Sequence, residues 1–246
     1  MEHNGLLFSL NEETKEAVIT GRTAEALNEN GELLIPAKVV FDNVEYLVTE
    51  IGESAFDGDE DITALVVEEG VIGESAFDGD EDITALVVEE GVKTIRELAF
   101  NWCSSLKTVQ LPASITTIEN EVFHACAKLV SVVLPENLST IQYCTFENCY
   151  RLQSVTWPQA LESIENEAFR CCYFLQYELP ADQEIEVADD AFICFYLDDH
   201  WINKGDGKGM ANADPEDEEW EIIDENHLGF YYGDWEDVDE LIEQFC

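Results

Sequence analysis

Basic residues are scarce in this chain: 11 Lys and Arg stand against 55 Asp and Glu, a formal net charge of -44 over 246 residues. A surface of that sign repels phosphate backbones, which argues against DNA or RNA as a ligand. It is equally ill suited to an anionic membrane face. It would attract a basic protein or cations, although acidity also keeps an elongated protein soluble. Long apolar runs are missing too. No stretch reaches the roughly 18–20 residues of a membrane-spanning helix, so membrane insertion is not expected. Met1–Gly5 lacks the basic region and apolar core of a secretory signal. The expected location is therefore the cytoplasm if the N-terminus is native, and the cell surface or exterior if the chain has been trimmed.

Catalytic equipment is sparse as well. The four histidines, His3, His124, His200 and His227, lie in no nucleophile motif, and no Gly-x-Ser-x-Gly elbow occurs. The glycine-rich Lys204–Gly209 lacks the spacing of a phosphate-binding loop and the Ser or Thr that should follow its lysine. The chain is expected not to be an enzyme and to need no cofactor.

Periodicity is abundant, and it decides the fold. Residues 51–71 recur letter for letter at 72–92. Behind that copy runs a looser period: Phe56, Phe77, Phe100, Phe123, Phe146, Phe169 and Phe192 are spaced 21 residues apart once and then 23 five times. Five residues before each of the first six stands Ile51, Ile72, Ile95, Ile118, Ile141 or Ile164. Six after comes Ile62, Ile83, Leu106, Leu129, Leu152 or Leu175. Apolar residues nine and eleven after the Phe, such as Leu65 and Val67 or Val132 and Leu134, alternate with exposed positions as a short strand does. Pro112, Pro135, Pro158 and Pro180 end the later strands, because proline has no N–H for a ladder. No single unit can bury its Ile, Phe and Leu alone, but stacked units can. The pattern predicts a solenoid of about seven stacked ~23-residue units with a parallel sheet on one face. The second copy, two residues short, is expected to kink the stack between Val71 and Ile72.

The pattern I-x-x-x-A-F-x-x-C-x-x-L-x-x-V-x-L-P, as written from Ile95 to Pro112, resembles the BspA-type (Treponema-type) leucine-rich repeat. The resemblance covers about residues 48–195. It implies a leucine-rich-repeat solenoid and, since members are mostly bacterial surface proteins, a role in adhesion or protein binding. Fold alone does not carry that role.

Four segments are expected: an N-terminal β cap over 1–47, the solenoid over 48–197, an acidic linker over 198–219, and a strand–helix element over 220–246. In the cap, Leu6–Leu10 and Ala17–Thr20 read as strands around a turn. In the last segment, Trp235, Val238, Leu241, Ile242 and Phe245 fall on one helical face, which would cap the stack or dock a partner.

Two further constellations stand out. Cys103, Cys126, Cys149 and Cys172 each sit three residues after the repeat Phe. Their spacing is the period of the fold rather than of a zinc site, which predicts a column of buried reduced thiols. In the first two units Asp59 and Asp80 replace those cysteines, inside the acidic loops Asp57–Asp61 and Asp78–Asp82. An EF-hand count fails there, because Ile62 occupies the place of the required glycine. No metal site is expected; Asp59 and Asp80 remain the weak candidates for a looser cation site, since two stacked carboxylates must be exposed, protonated or bridged.

Repeat scaffolds recognise partners on the open face of their sheet. The register points Thr108, Gln110, Ser131, Val133, Ser154 and Thr156 there, and these are the candidate partner-binding residues. The leading expectation is a non-catalytic protein–protein interaction module whose partner is a protein, a basic one being favoured by the acidic surface. An adhesive or structural surface repeat protein and an acidic mimic of nucleic acid are the alternatives.

Overall fold

The computed structural model describes residues 1–203, apart from Tyr173, Asp182, Asp198 and Asp199; of residues 193–203 only the backbone is described. Of the expected linker over 198–219 only His200–Asn203 is described, as a strand paired antiparallel with Ile193–Leu197; the rest of it and the strand–helix element lie outside the described residues. Among those described, no helix is long and apolar enough to cross a membrane.

The strands run β1 Glu2–His3, β2 Leu6–Asn11, β3 Glu16–Arg22, β4 Glu32–Ile35, β5 Lys38–Phe41, β6 Val44–Ile51, β7 Ala64–Val67, β8 Val71–Ile72, β9 Ala85–Val88 and β10 Thr94–Ile95. They continue with β11 Thr108–Gln110, β12 Thr117–Ile118, β13 Ser131–Val133, β14 Thr140–Ile141, β15 Ser154–Thr156, β16 Ser163–Ile164, β17 Glu186–Val187, β18 Ile193–Leu197 and β19 His200–Asn203. Up to β15 each repeat contributes one strand to each of two parallel ladders; beyond it only the second ladder continues, in β16 and β17. One ladder stacks β4, β7, β9 and β11, with β13 paired to β15 beyond it. The other stacks β6, β8, β10 and β12, then β14, β16 and β17. This second ladder rests on the recurring Ile and was not foreseen as strand, because two-residue segments are too short to show alternation.

The solenoid begins inside the N-terminal segment. Leu33 and Ile35 of β4 lie in register with Leu65 and Val67 of β7 and are buried like them. β2 and β3 form the expected antiparallel hairpin, and β3 pairs in parallel with β6. β6 then hands its last two residues, Glu50 and Ile51, to Val71 and Ile72 of β8. No kink is visible in the ladder there, since Ile51, Ile72 and Ile95 pair in unbroken register. The two-residue deficit is confined to the loop before Ile72. Gly70 turns that loop at φ +110, where a Cβ would lie 3.0 Å from the Thr49 carbonyl group.

Proline sets strand length. β7 and β9 run four residues, and the next residue still donates: Glu68 N to Ile35 O at 3.1 Å and Glu89 N to Val67 O at 2.8 Å. β11, β13 and β15 run three residues, and the positions equivalent to Glu68 are Pro112, Pro135 and Pro158, which have no N–H to give.

The interior is one continuous cluster from Leu6 to Phe192. At its centre the seven repeat phenylalanines stack face to face, neighbouring rings 5.0, 5.2, 5.8, 5.5, 5.3 and 5.1 Å apart and within 13° of parallel. Seven rings with six intervals make about six full turns. Val109 and Val155 are only half-buried, whereas Leu65, Leu86 and Val132 are fully enclosed.

A third set of backbone ladders follows the Phe side of the stack. Phe56, Phe77, Phe100, Phe123, Phe146 and Phe169 each donate their N–H to the carbonyl of the residue before the next Phe, at 2.7–3.0 Å. Two residues to either side of each Phe the chain turns left-handed. The earlier position holds Ser54, Ser75, Leu98, Glu121, Cys144 and Glu167, with φ between 50° and 60°. The later one holds Gly58, Gly79, Trp102, Ala125, Asn148 and Cys171. These N–H groups also reach the next turn, as Trp102 N does to His124 O at 2.9 Å. A left-handed residue other than glycine costs about 1–2 kcal/mol, and the regular ladder offsets that cost.

Candidate functional site

The six sheet-face residues all lie in the strands that were expected to carry them and are all exposed. Thr108 is in register with Ala85 and Gln110 with Val87; Ser131 is in register with Ser154 and Val133 with Thr156. Strands of a sheet lie about 4.8 Å apart, so these side chains form two parallel files along the solenoid. Val133 is 62% exposed, the largest exposure of any apolar strand residue described. The file extends backwards through the half-buried Val87 and Val66 to Leu34, 52% exposed on β4. The result is a narrow apolar and hydroxyl strip. In the first units it is flanked by acids, Glu60 and Asp61 or Glu81 and Asp82 before the strand and Glu68 and Glu69 or Glu89 and Glu90 after it.

The thiol column has the expected form. Cys103, Cys126, Cys149 and Cys172 are buried and unoxidised. Each donates its S–H to the carbonyl of the Phe one turn earlier: Phe77, Phe100, Phe123 and Phe146, at 3.3, 3.4, 3.2 and 3.1 Å. Burial pushes the Cys103, Cys126 and Cys149 thiols well above the usual range, so they are inert as nucleophiles or ligands.

Asp59 and Asp80 part company. Asp59 is held by Arg22, at the end of β3, whose Nε donates to Oδ2 at 2.6 Å and whose Nη2 reaches both Oδ1 and Asp61. The guanidinium side chain is only 8% exposed. Nothing in the spacing of the sequence pointed to Arg22, because its partner lies 37 residues away across the cap. Asp80 is fully buried, and neither of its carboxylate oxygens has a hydrogen-bond partner. Burial, with Asp59 and Asp82 nearby, pushes its carboxyl up to about 8.

Sequence reasoning also missed the file one residue after each of the first six Phe: Asp57, Asp78, Asn101, His124, Glu147 and Arg170. Asn101 Nδ2 donates to Asp78 at 2.9 Å, and the Asn101 oxygen meets His124 Nδ1 at 2.7 Å. His124 Nδ1 therefore carries the proton, while Nε2 accepts from Asn148 at 3.1 Å. Arg170 Nη1 lies 3.3 Å from both Glu147 and Glu167. Cys144, Glu147 and Glu167 bring their ligand atoms within 4.8 Å of one another. Arg170 already supplies the positive charge there. The uniformly polar character of this position was the available signal.

The profile of the BspA type leucine rich repeat region matches residues 70–197 in six copies. No curated protein matches the chain significantly. Among solved structures, a leucine rich cell surface protein from Faecalibacterium prausnitzii is similar at 26% identity and a TM-score of 0.64, over 78% of this chain and 51% of that one. The chain thus spans about half the length of that protein. A leucine rich repeat protein from T. pallidum matches at 23% identity and a TM-score of 0.57, over 71% of this chain and 90% of its own; at that identity the likeness is one of fold. With more than half of its length matched by the repeat and its phenylalanines stacked as the repeat requires, the chain belongs to the BspA-type leucine-rich-repeat family.

Proposed function

We propose that the chain is a non-catalytic protein-binding module that recognises its partner along the strip of Thr108, Gln110, Ser131, Val133, Ser154 and Thr156. The observation behind this reading is the exposure of an apolar side chain, Val133, at the middle of a regular strand face otherwise made of small hydroxyl and amide groups. Interfaces are apolar at the centre and polar at the rim, and the acids along the first units would favour a partner with basic flanks. Cell-surface display is the second part of the proposal, supported by the surface protein of F. prausnitzii at 26% identity.

Affinity capture tests the binding face. A partner should be retained by the wild type and by Glu53→Gln, an exposed change away from the strip, and lost by Val133→Asp and Gln110→Asp. A partner retained equally by all four would overturn the assignment of the face. Capture across a salt series separates this reading from charge mimicry, which would lose its partner steeply as salt rises.

A further inference from the structure

Among the described residues, Asp80 occupies the one fully buried rung of the thiol column that has no thiol. Every cysteine of the column donates a hydrogen to a carbonyl one turn earlier. A carboxylate has no hydrogen to give. Three arrangements make stacked carboxylates tolerable: exposure, a bridging cation, or a proton. Exposure is excluded for Asp80, which is 0% accessible. A bridging cation would have to share Asp59 with the Arg22 guanidinium, which already contacts both of its oxygens and neutralises its charge. The proton remains.

We propose that Asp80 is a proton-operated latch at the joint between the N-terminal hairpin and the repeats, closed while its carboxyl is neutral and loosened when it ionises. The groups facing it are arranged to make ionisation disruptive. Asp59 lies one turn earlier and Asp82 follows in the same loop, both opposing a negative charge. Asp78, also in that loop, and Cys103 one turn later share the same surroundings. Among the described residues Arg22 is the cation near it, and that cation is committed to Asp59 and Asp61. An Asp80 anion therefore either stays unpaired or draws Arg22 from Asp59. The first leaves a buried charge that repels Asp59, and the second takes apart the contact that ties β3 to the first acidic loop.

The direction follows from linkage. Burial raises the folded-state carboxyl to about 8, against an ordinary carboxylate value near 4 in an opened chain. The closed form binds the proton more tightly, so its advantage is complete below about pH 4 and declines as pH rises towards 8. Each pH unit within that window should raise the opening equilibrium about tenfold, and above it the dependence should flatten.

Hydrogen–deuterium exchange on the full chain between pH 5 and 9, corrected for intrinsic amide rates, reads this directly. Protection in peptides covering 51–92 should fall about tenfold per pH unit up to about pH 8, while peptides covering 118–170 change far less. Asp80→Asn should remove the selective loss. Asp80→Cys, which rebuilds the column, should remove it as well and keep the wild-type protection at pH 5. Equal loss of protection in both regions would attribute the effect to overall charge repulsion and overturn the latch. An unchanged profile in either variant would overturn it too, as would a flat wild-type profile.

Discussion

Replacing Phe123 by alanine removes the central ring of the stack and tests whether the phenylalanine column holds the solenoid together. Phe123 is fully buried, with Phe100 at 5.8 Å on one face and Phe146 at 5.5 Å on the other. Truncating a buried Phe to Ala costs about 3–5 kcal/mol through lost transfer energy and the cavity left behind. A stacked aromatic pair contributes about 0.5–1.5 kcal/mol beyond area, and Phe123 forms two such pairs. The expected cost is therefore in the upper part of the range, about 4–5 kcal/mol. Phe56 provides the internal comparison. It stacks on Phe77 alone, at 5.0 Å, so Phe56→Ala should cost roughly 1 kcal/mol less. Urea unfolding followed by circular dichroism measures both, and the thermal midpoint of Phe123→Ala should drop by about 10–15 °C for a domain of this size. A cost below about 2 kcal/mol for Phe123→Ala, or a larger cost for Phe56→Ala, would refute the idea that each rung is stabilised by its two neighbours.

Removing the guanidinium by Arg22→Gln strands the mostly buried Asp59 carboxylate and should destabilise the N-terminal joint by about 3 kcal/mol, measured by urea unfolding; a change under 1 kcal/mol would contradict the clamp. Ala125 holds φ 56° without being glycine, so Ala125→Gly should be neutral or stabilise by up to about 1 kcal/mol, whereas the same substitution at Ala99, in an ordinary backbone region, should destabilise. The thiols of Cys103, Cys126 and Cys149 should react with a thiol reagent at pH 8 no faster than the chain unfolds; stoichiometric labelling of the native protein within minutes would show that the column is open.

The fold was legible because the repeat states the same requirement six times: the Phe, the Ile five before it and the Ile or Leu six after it are all interior. The thiol column followed from the same register. The left-handed turns on either side of the Phe were hidden, because the demand falls on backbone rather than side chain. Glycine marks it only at Gly58 and Gly79; Trp102, Ala125, Asn148 and Cys171 meet the same demand and share no chemistry. The clamp of Arg22 on Asp59 was hidden for another reason. It depends on where the cap hairpin meets the first loop, a tertiary relation that no local spacing encodes. The sheet-face residues were placed by the alternation of short strands, a rule that fixes which way a side chain points but not what it meets.

The three ladders repeat one pattern from turn to turn: the Phe ladder donates to the turn ahead, as Phe77 N does to Ala99 O, and the strands donate to the turn behind, as Thr84 N does to Thr63 O. A turn can therefore be spliced into the pile, or taken out, without asking the remaining turns to change partners. The verbatim copy at 72–92 has the form such a splice leaves behind, and its missing pair of residues is absorbed by a loop rather than by the ladders. Growth by whole slices would lengthen the exposed file of side chains one strand spacing at a time, so reach along a partner could be tuned by counting turns.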